Sequence, residues 1–448
     1  MDYKAQFKGK KITIMGLGVL GRGLGYTKFL ADCGAELIVT DMKTEKELAT
    51  SLKILKKYNN ITFVLGEHRL QDFTHRDMII KNPGIPLDSI YIKEARKNNI
   101  PIEMDASLFA KHAPEVRIVG VTGTRGKSMT TTLIYEILKA NEKQLKQKVY
   151  LGGNIRGMAT LPLLSKVKKG DIVVLELDSW QLAGFGEAKI SPHISVFTTF
   201  MRDHMNYYKD NMKLYFADKA NIFKFQKKGD TLVIRPEMQT LIPKNIKSTL
   251  VVAQKKAVAD FKFIVPGEHQ RENLACAVAV AELFGITKVQ SKKAVEKFRG
   301  MEGRLQYVRT VRGVKIYNDN NATTPEASIV GLESFTNLPD RVDKNRRIIL
   351  IAGGADKKLD VSGLATAINK YCKYAVLLPG TGTEKLSALK FRVDVTVATD
   401  LKDAVKNALK HAVRGDIILF SPAFASFGMF TNEYDRNDQF MKIVKSLK

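Results

Sequence analysis

The stretch GVTGTRGKSMTTT, residues 120–132, constrains the fold of this chain more than any other. Its β-branched start reads as a strand, its glycines as a tight turn, and the residues after Lys127-Ser128 as a helix. That succession aims the N–H groups of a helix N-terminus at an anion, and a Lys-Ser pair there suits the phosphates of a nucleotide and their magnesium. The spacing is irregular. Counted back from Gly126, Val121 takes the place of the first glycine of G-x-x-x-x-G-K-[ST], and Gly123 supplies the turn. Arg125 lies inside the loop, and Met129 follows Ser128.

A second loop of nucleotide type opens the chain. KKITIMG reads as a strand, GLGVLGRG as a turn into a helix ending near Cys33-Gly34, and AELIVTD as a second strand. This is the start of a Rossmann-like unit. Gly16, Gly18 and Gly21 fit G-x-G-x-x-G, and Asp41, ending the second strand, is placed to accept a ribose hydroxyl. Alone, this signal suggests a nicotinamide cofactor; helix-terminal N–H groups, however, bind any nucleotide diphosphate. DMIIKNPGIP continues the sheet with a buried strand and a Pro-Gly turn.

Beyond the phosphate loop, GGNIRG is turn-rich and DIVVLEL is an apolar strand carrying Glu176 near its end. A carboxylate at a strand terminus beside a phosphate loop is placed to hold Mg²⁺. The strand HISVFTTF leads directly to His204, and Lys219 lies on a predicted helix with Leu214, Tyr215, Ile222 and Phe223 at helical spacing. A lone histidine or lysine is most often structural. Here both follow a strand of the sheet that carries the phosphate loop, which favours function. From Met301 onward strands and helices alternate again, with polar loops NDNNATT, GGADKK and SPAFASFG after the strands, where ligands of such sheets bind.

These patterns predict three α/β domains: a Rossmann-like domain over 1–105, a central P-loop ATPase-like domain over 106–300 and a C-terminal Rossmann-like domain over 301–448. The length of 448 residues suits such a division. The formal charge of +26 raises the question of nucleic acid, but the lysines are spread along the chain without interleaved aromatic residues. A solvated surface attractive to anionic nucleotides is the expectation, with no nucleic-acid partner. No apolar run approaches the roughly 18 residues of a spanning helix, and the start lacks a signal-peptide pattern, so a cytoplasmic protein without membrane insertion is expected. Cys33, Cys276 and Cys372 are far apart and read as reduced core residues.

Taken in order, GTRGKS, GGNIRG, LELDSWQL, DHMNYY with ADKANIF, GEHQRENLACA, GRLQYV, YNDNNATTPEA, GGADKK and SPAFASFGMF resemble the Mur ligase family over essentially the whole chain. The terminal SPAFASFGMF and the Rossmann-like start point to its D-glutamate-adding branch. The resemblance implies an ATP-dependent amide ligase of peptidoglycan synthesis, acting as a monomer on UDP-MurNAc-L-alanine and D-glutamate through an acyl phosphate. It implies that Gly123, Thr124, Arg125, Gly126, Lys127 and Ser128 cradle the ATP phosphates, with Asn273, Arg304 and Asp319 around the nucleotide and His269 in the same region. Ser128, Glu176, His204 and Lys219 would hold magnesium, Lys219 as a carbamate. Lys127, His204 and Lys219 would be catalytic. Val19, Leu20, Asp41, Asn82, Pro83, Gly84 and Asn154 would hold the UDP-sugar, and Thr323, Lys357 and Ser426 the amino acid.

The chain departs from the family pattern at several of these places. Arg125 replaces an asparagine and Met129 a threonine; Gly303 stands where a histidine precedes Arg304, Asn321 where a lysine is common, Gly428 for an aspartate and Glu433 for an aromatic residue. Losing a lysine and gaining a carboxylate near a dicarboxylate substrate matters, because like charges repel. The rival readings are a Mur-type ligase for another amino acid, a poly-γ-glutamate-synthase-like ligase, a nicotinamide-dependent oxidoreductase, and a non-enzymatic nucleotide- or nucleic-acid-binding protein favoured only by charge.

Overall fold

The structure, a computed structural model, describes residues 3–335 and 347–447. It divides into two compact units, one formed by Met1–Ala259 with Glu272–Ser291, the other by Asp260–Arg271 with Lys292–Lys448.

The first unit holds two sheets. In the first, β1 (Lys11–Met15), β2 (Glu36–Asp41), β3 (Ile61–Leu65), β4 (Met78–Lys81) and β5 (Ile102–Glu103) lie all parallel in the order β3-β2-β1-β4-β5. The second holds β6 (Arg117–Thr122), β7 (Val149–Gly153), β8 (Ile172–Glu176), β9 (Ile194–Phe197), β10 (Thr231–Ile234) and β11 (Thr249–Val252). These are also all parallel, in the order β11-β10-β9-β6-β8-β7. Strands covered by helices on both faces read as unbroken apolar runs. β8 and β9 are accordingly buried along their whole length.

The helix Asp105–His112 follows the first sheet and precedes the second, and its Phe109 packs in the same core as Ile12, Val39, Val173 and Leu175. Its first residue, Asp105, is buried and accepts the N–H groups of Thr160 (2.8 Å) and Leu161 (2.7 Å). Burial nevertheless raises its carboxyl pKa.

The second unit carries β12 (Gln306–Val311), β13 (Val314–Asn318), β14 (Ile348–Gly353), β15 (Cys372–Leu378), β16 (Asp394–Val397) and β17 (Ile417–Phe420), in the order β12-β13-β17-β14-β15-β16. Only the edge strand β12 is antiparallel, joined to β13 by a turn at Arg312-Gly313. Its half-exposed residues gave no apolar run to read in the sequence. The final helix begins at Glu433, earlier than its apolar residues suggest, because Asn432 caps it through the N–H groups of Tyr434 and Asp435.

Cys33, Cys276 and Cys372 are buried and in no disulfide. Among the described residues, no helix is long and apolar enough to cross a membrane.

A candidate nucleotide and ligase site

In the first unit the phosphate loop leaves β6, which lies between β8 and β9, and enters the helix Lys127–Ala140. Two threonines that follow β9 staple it. Thr199 takes the N–H groups of Thr124 on its carbonyl (2.7 Å) and of Arg125 on its hydroxyl (2.9 Å), and the Thr198 hydroxyl donates to Arg125 O (2.6 Å). This is why β9 ends at Phe197, short of the strand read from HISVFTTF: Thr198 and Thr199 turn to the loop instead. The Thr124 and Arg125 amides are thereby occupied. Anion contacts fall to the first turn of the helix from Lys127, whose N–H groups have no intrahelical acceptor.

Lys127 folds back on the loop, donating to Gly123 O (2.9 Å) and Thr124 O (3.1 Å). Lys219, on the helix Met212–Lys224, donates to the same Gly123 O at 2.9 Å. Its ammonium is buried and lies 5.0 Å from the Tyr215 ring centre. Burial, reinforced by the Lys127 charge, holds its pKa well below the usual lysine range. Leu214 on that helix is exposed, contrary to the helical-face reading, while Tyr215, Ile222 and Phe223 are buried.

Glu176 is the last residue of β8, is buried, and pairs in register with Val121 just before the loop. His204 has a φ of 55°, and its ring lies 4.9 Å from that of Trp180, tilted by 51°. Burial lowers its pKa. Beside it, Asp203 accepts the His204 N–H (3.0 Å) and, on its other oxygen, the Arg125 guanidinium (2.7 Å). Arg125 therefore ties the phosphate loop to the histidine segment. Asn273 lies against the loop from the helix Glu268–Leu283: its Oδ1 accepts from Thr130 (3.1 Å), and a Cβ on Gly126 would come within 2.4 Å of it. Met129, the departure after Ser128, is buried on the inner face of its helix.

No three or more His, Cys, Asp or Glu side chains form a metal cage among the described residues. Magnesium does not require one, since it takes one or two carboxylates and completes its shell with water and phosphate oxygens. The buried Glu176 beside a phosphate loop fits that mode of binding.

On the first sheet, Val19 and Leu20 are exposed on the glycine loop. Asp41 is buried; its two oxygens accept the N–H groups of Gly18 (2.8 Å) and Lys43 (2.9 Å), so it shapes that loop from beneath. Asn82 accepts the Gly84 N–H (3.2 Å). Under this turn lies Lys81, which sequence reasoning missed. It is buried and donates to Pro83 O (3.1 Å) and Ile85 O (2.8 Å), and burial brings its pKa down to about 7. Asn154 joins the helix that follows the glycine loop to the end of β8: its side-chain oxygen accepts from Arg22 (2.7 Å) and its N–H donates to Glu176 O (2.7 Å).

The second unit gathers a separate group of residues. Asp319 follows β13 and is buried; its carboxylate accepts from Leu305 N (3.1 Å) and Ser421 Oγ (2.9 Å). Burial pushes its pKa up to about 7, opposed by these bonds and by the Arg304 charge. His269 is the second residue of the helix Glu268–Leu283, of which Glu268–Arg271 belong to this unit. The loops after β13, β14 and β17 are zipped together by Ala423 N–H to Ala322 O (2.8 Å) and a two-way pairing of Ala355 with Ala425. They carry Thr323, Lys357 and Ser426, and Lys357 donates to the Thr323 hydroxyl at 2.9 Å. Two departures meet here. Gly303 has a φ of +72°, and a Cβ on it would lie 2.9 Å from Asn321 Oδ1, so a side chain at 303 would make the Asn321 side chain shift. Gly428 has open space around it.

Three family models match the chain: the Mur ligase MurD-like N-terminal domain over residues 10–103, the Mur ligase middle domain over 121–249 and the Mur ligase glutamate ligase domain over 303–424. A UDP-N-acetylmuramoylalanine--D-glutamate ligase of Roseiflexus sp. (strain RS-1) is 36% identical, the match covering 98% of this chain and 99% of that one. The chain belongs to the Mur ligase family. Its relatives in the UDP-N-acetylmuramoylalanine--D-glutamate ligase branch include that of Borreliella burgdorferi (strain ZS7), 33% identical over 99% of both chains. Among solved Mur ligase structures, the UDP-N-acetylmuramate-alanine ligase MurC of Thermotoga maritima superposes with a TM-score of 0.59 at 19% identity, covering 98% of this chain and 99% of that one. A MurF ligase of the same organism, in complex with ADP, gives 0.58 at 16% identity, over 99% and 96%. This Mur ligase thus has the three-domain α/β fold expected of it.

Proposed function

We propose that the chain is an ATP-dependent amide ligase that adds D-glutamate to UDP-N-acetylmuramoyl-L-alanine, working as a cytoplasmic monomer with domains over 1–105, 106–300 and 301–448. The observation that carries the reading is the convergence of Lys127, Lys219 and Glu176 on one phosphate loop, in a chain so similar over its full length to ligases of that name.

In the reaction, a carboxylate oxygen of the UDP-sugar substrate attacks the γ-phosphorus of ATP, the bond to ADP breaks, and an acyl phosphate forms. The amine of the amino acid then attacks the acyl carbon, loses a proton and expels inorganic phosphate. Both steps bring anions together, so most of the catalysis lies in positioning and in cationic groups. Lys127 and the first-turn amides would hold the β- and γ-phosphates, with Gly123, Thr124, Arg125 and Gly126 shaping the loop. Asn273, Arg304 and Asp319 would hold the rest of the nucleotide.

Ser128, Glu176, His204 and Lys219 would hold magnesium, which when bound neutralises charge on the transferring phosphoryl group. A buried ammonium would repel that ion. Lys219 answers this if its amine attacks carbon dioxide and loses a proton, since the carbamate formed is an anion. Val19 and Leu20, with Asp41, Asn82, Pro83, Gly84 and Asn154, would bind the UDP-sugar. Thr323, Lys357 and Ser426 would bind the amino acid, with Glu433 and Asn321 modifying that pocket.

The test is phosphate release by the purified protein with ATP, UDP-MurNAc-L-alanine and a panel of D- and L-amino acids. Release that requires both the UDP-sugar and D-glutamate is expected. Turnover without the UDP-sugar, or only with another amino acid, would reject the assignment.

A further inference from the structure

Arg436, on the final helix, heads the wholly buried side chains by size. Its Nε donates to Asn320 Oδ1 (2.8 Å), one terminal nitrogen to Phe424 O (3.1 Å) and the other to Asn320 O (3.1 Å). All three acceptors are neutral, and among the described residues Arg436 forms no ion pair. An arginine is almost never fully buried unless a counter-charge accompanies it. Glu433, one turn earlier, is the carboxylate whose charge reaches it.

The acceptors show what the guanidinium holds. Asn320 belongs to the loop after β13 that carries Thr323, and Phe424 to the loop after β17 that carries Ser426. One planar fork therefore spans two loops. Between them, Ala423 sits at a φ of +65°, a left-handed conformation that a residue with a side chain keeps only where its surroundings enforce it. Asn320 extends the connection by donating to Glu433 O at 2.9 Å.

We propose that Arg436 is a positioning residue for the incoming amino acid: it clasps the Thr323 and Ser426 loops in one geometry. The proposal rests on reading Thr323, Lys357 and Ser426 as the amino-acid pocket.

The guanidinium also acts on Lys357. Burial first, and then the Arg436 charge, keep the Lys357 ammonium below its usual range, with Glu433 opposing. Lys357 donates to the Thr323 hydroxyl, and its chain neighbours are the charged Asp356, which Lys385 approaches at 3.8 Å, and Lys358. Removing the guanidinium lets Lys357 keep its proton to higher pH.

The experiment compares full-length Arg436→Met, Arg436→Lys and Asn320→Ala with the parent chain, varying D-glutamate at saturating ATP and UDP-MurNAc-L-alanine. All three variants are expected to raise KM for D-glutamate by about tenfold or more, while KM for ATP and the UDP-sugar stays within about twofold. Arg436→Met alone should move the alkaline fall of kcat/KM for D-glutamate to higher pH, since Arg436→Lys keeps a charge there. If Arg436→Met does not fold, the other two variants decide on KM. Unchanged D-glutamate KM in Arg436→Lys and Asn320→Ala, a common rise for all three substrates, or an unmoved alkaline limb in folded Arg436→Met would overturn the clasp. A parent chain with no D-glutamate-dependent phosphate release would reject the pocket reading itself.

Discussion

Replacing Gly123 with alanine tests how tightly the phosphate loop is built. Gly123 has a φ of +148°, and an added Cβ would lie 2.0 Å from Thr198 Oγ1, 2.8 Å from Thr199 N and 3.1 Å from Thr199 O. The backbone strain costs about 1–3 kcal/mol, and overpacking costs about 1–3 kcal/mol more. Thr198 must also leave Arg125 O, a loss of about 1 kcal/mol. The Thr199 main chain has little room to yield, because its carbonyl already holds Thr124 N–H at 2.7 Å. The sum, about 3–7 kcal/mol, is a large part of the roughly 5–15 kcal/mol that holds a domain folded. Gly229→Ala is the control: its φ is also positive, at +99°, but nothing lies within 4 Å of the added carbon. Its cost should stay near about 1–2 kcal/mol. Trp180, the single tryptophan, lies in the first unit and reports its urea unfolding. A loop moved by about 1 Å should also slow single-turnover phosphate release by about 100-fold. Gly123→Ala within about 1 kcal/mol of the control, with undiminished phosphate release, would refute this reasoning.

Three further substitutions bear on the site. Asp319, pushed up to about 7 by burial, binds its proton more tightly folded than unfolded. It therefore favours folding fully below its unfolded pKa of about 3.9, and that contribution erodes as pH rises to about 7 and is then constant. The stability of the chain relative to Asp319→Asn, from urea unfolding followed by near-UV circular dichroism, should fall over that window and level off; a flat difference would remove the argument. Lys219→Ala should lose about 100-fold or more in turnover, with partial return on adding a short carboxylic acid, and full activity of the variant would eliminate the proposed role. Arg125→Asn removes an ion pair whose arginine side chain is 66% exposed, so stability should change by less than about 1 kcal/mol. The magnesium concentration for half-maximal turnover should rise as Asp203 loses its hold on the loop, and an unchanged value would leave Arg125 without a role there.

The alternation of buried strands and helices was legible because parallel strands covered on both faces become apolar runs; β14, IILIAG, is buried throughout. The two glycine loops were legible because helix N-termini with tight turns have fixed local spacing. What escaped was contact between residues far apart in the chain. Nothing near Asp41 announces that one of its oxygens is taken by the N–H of Gly18, 23 residues earlier. Arg125 finds Asp203, Arg22 finds Asn154 and Arg436 finds Asn320 across long separations that carry no local period. The departures at Gly303 and Asn321 looked independent in sequence and touch in the fold. β12 went unread because an edge strand with half-exposed residues has neither an apolar run nor a clean alternation.

The central claim is that a carboxylate of the UDP-sugar is activated by phosphorylation before the amine attacks. Labelling both oxygens of the alanyl carboxylate of UDP-MurNAc-L-alanine with ¹⁸O and analysing the products by mass spectrometry tests this directly. An acyl phosphate leaves one labelled oxygen in the released inorganic phosphate and one in the new amide carbonyl. Phosphate free of label, with amide formed, would contradict the account.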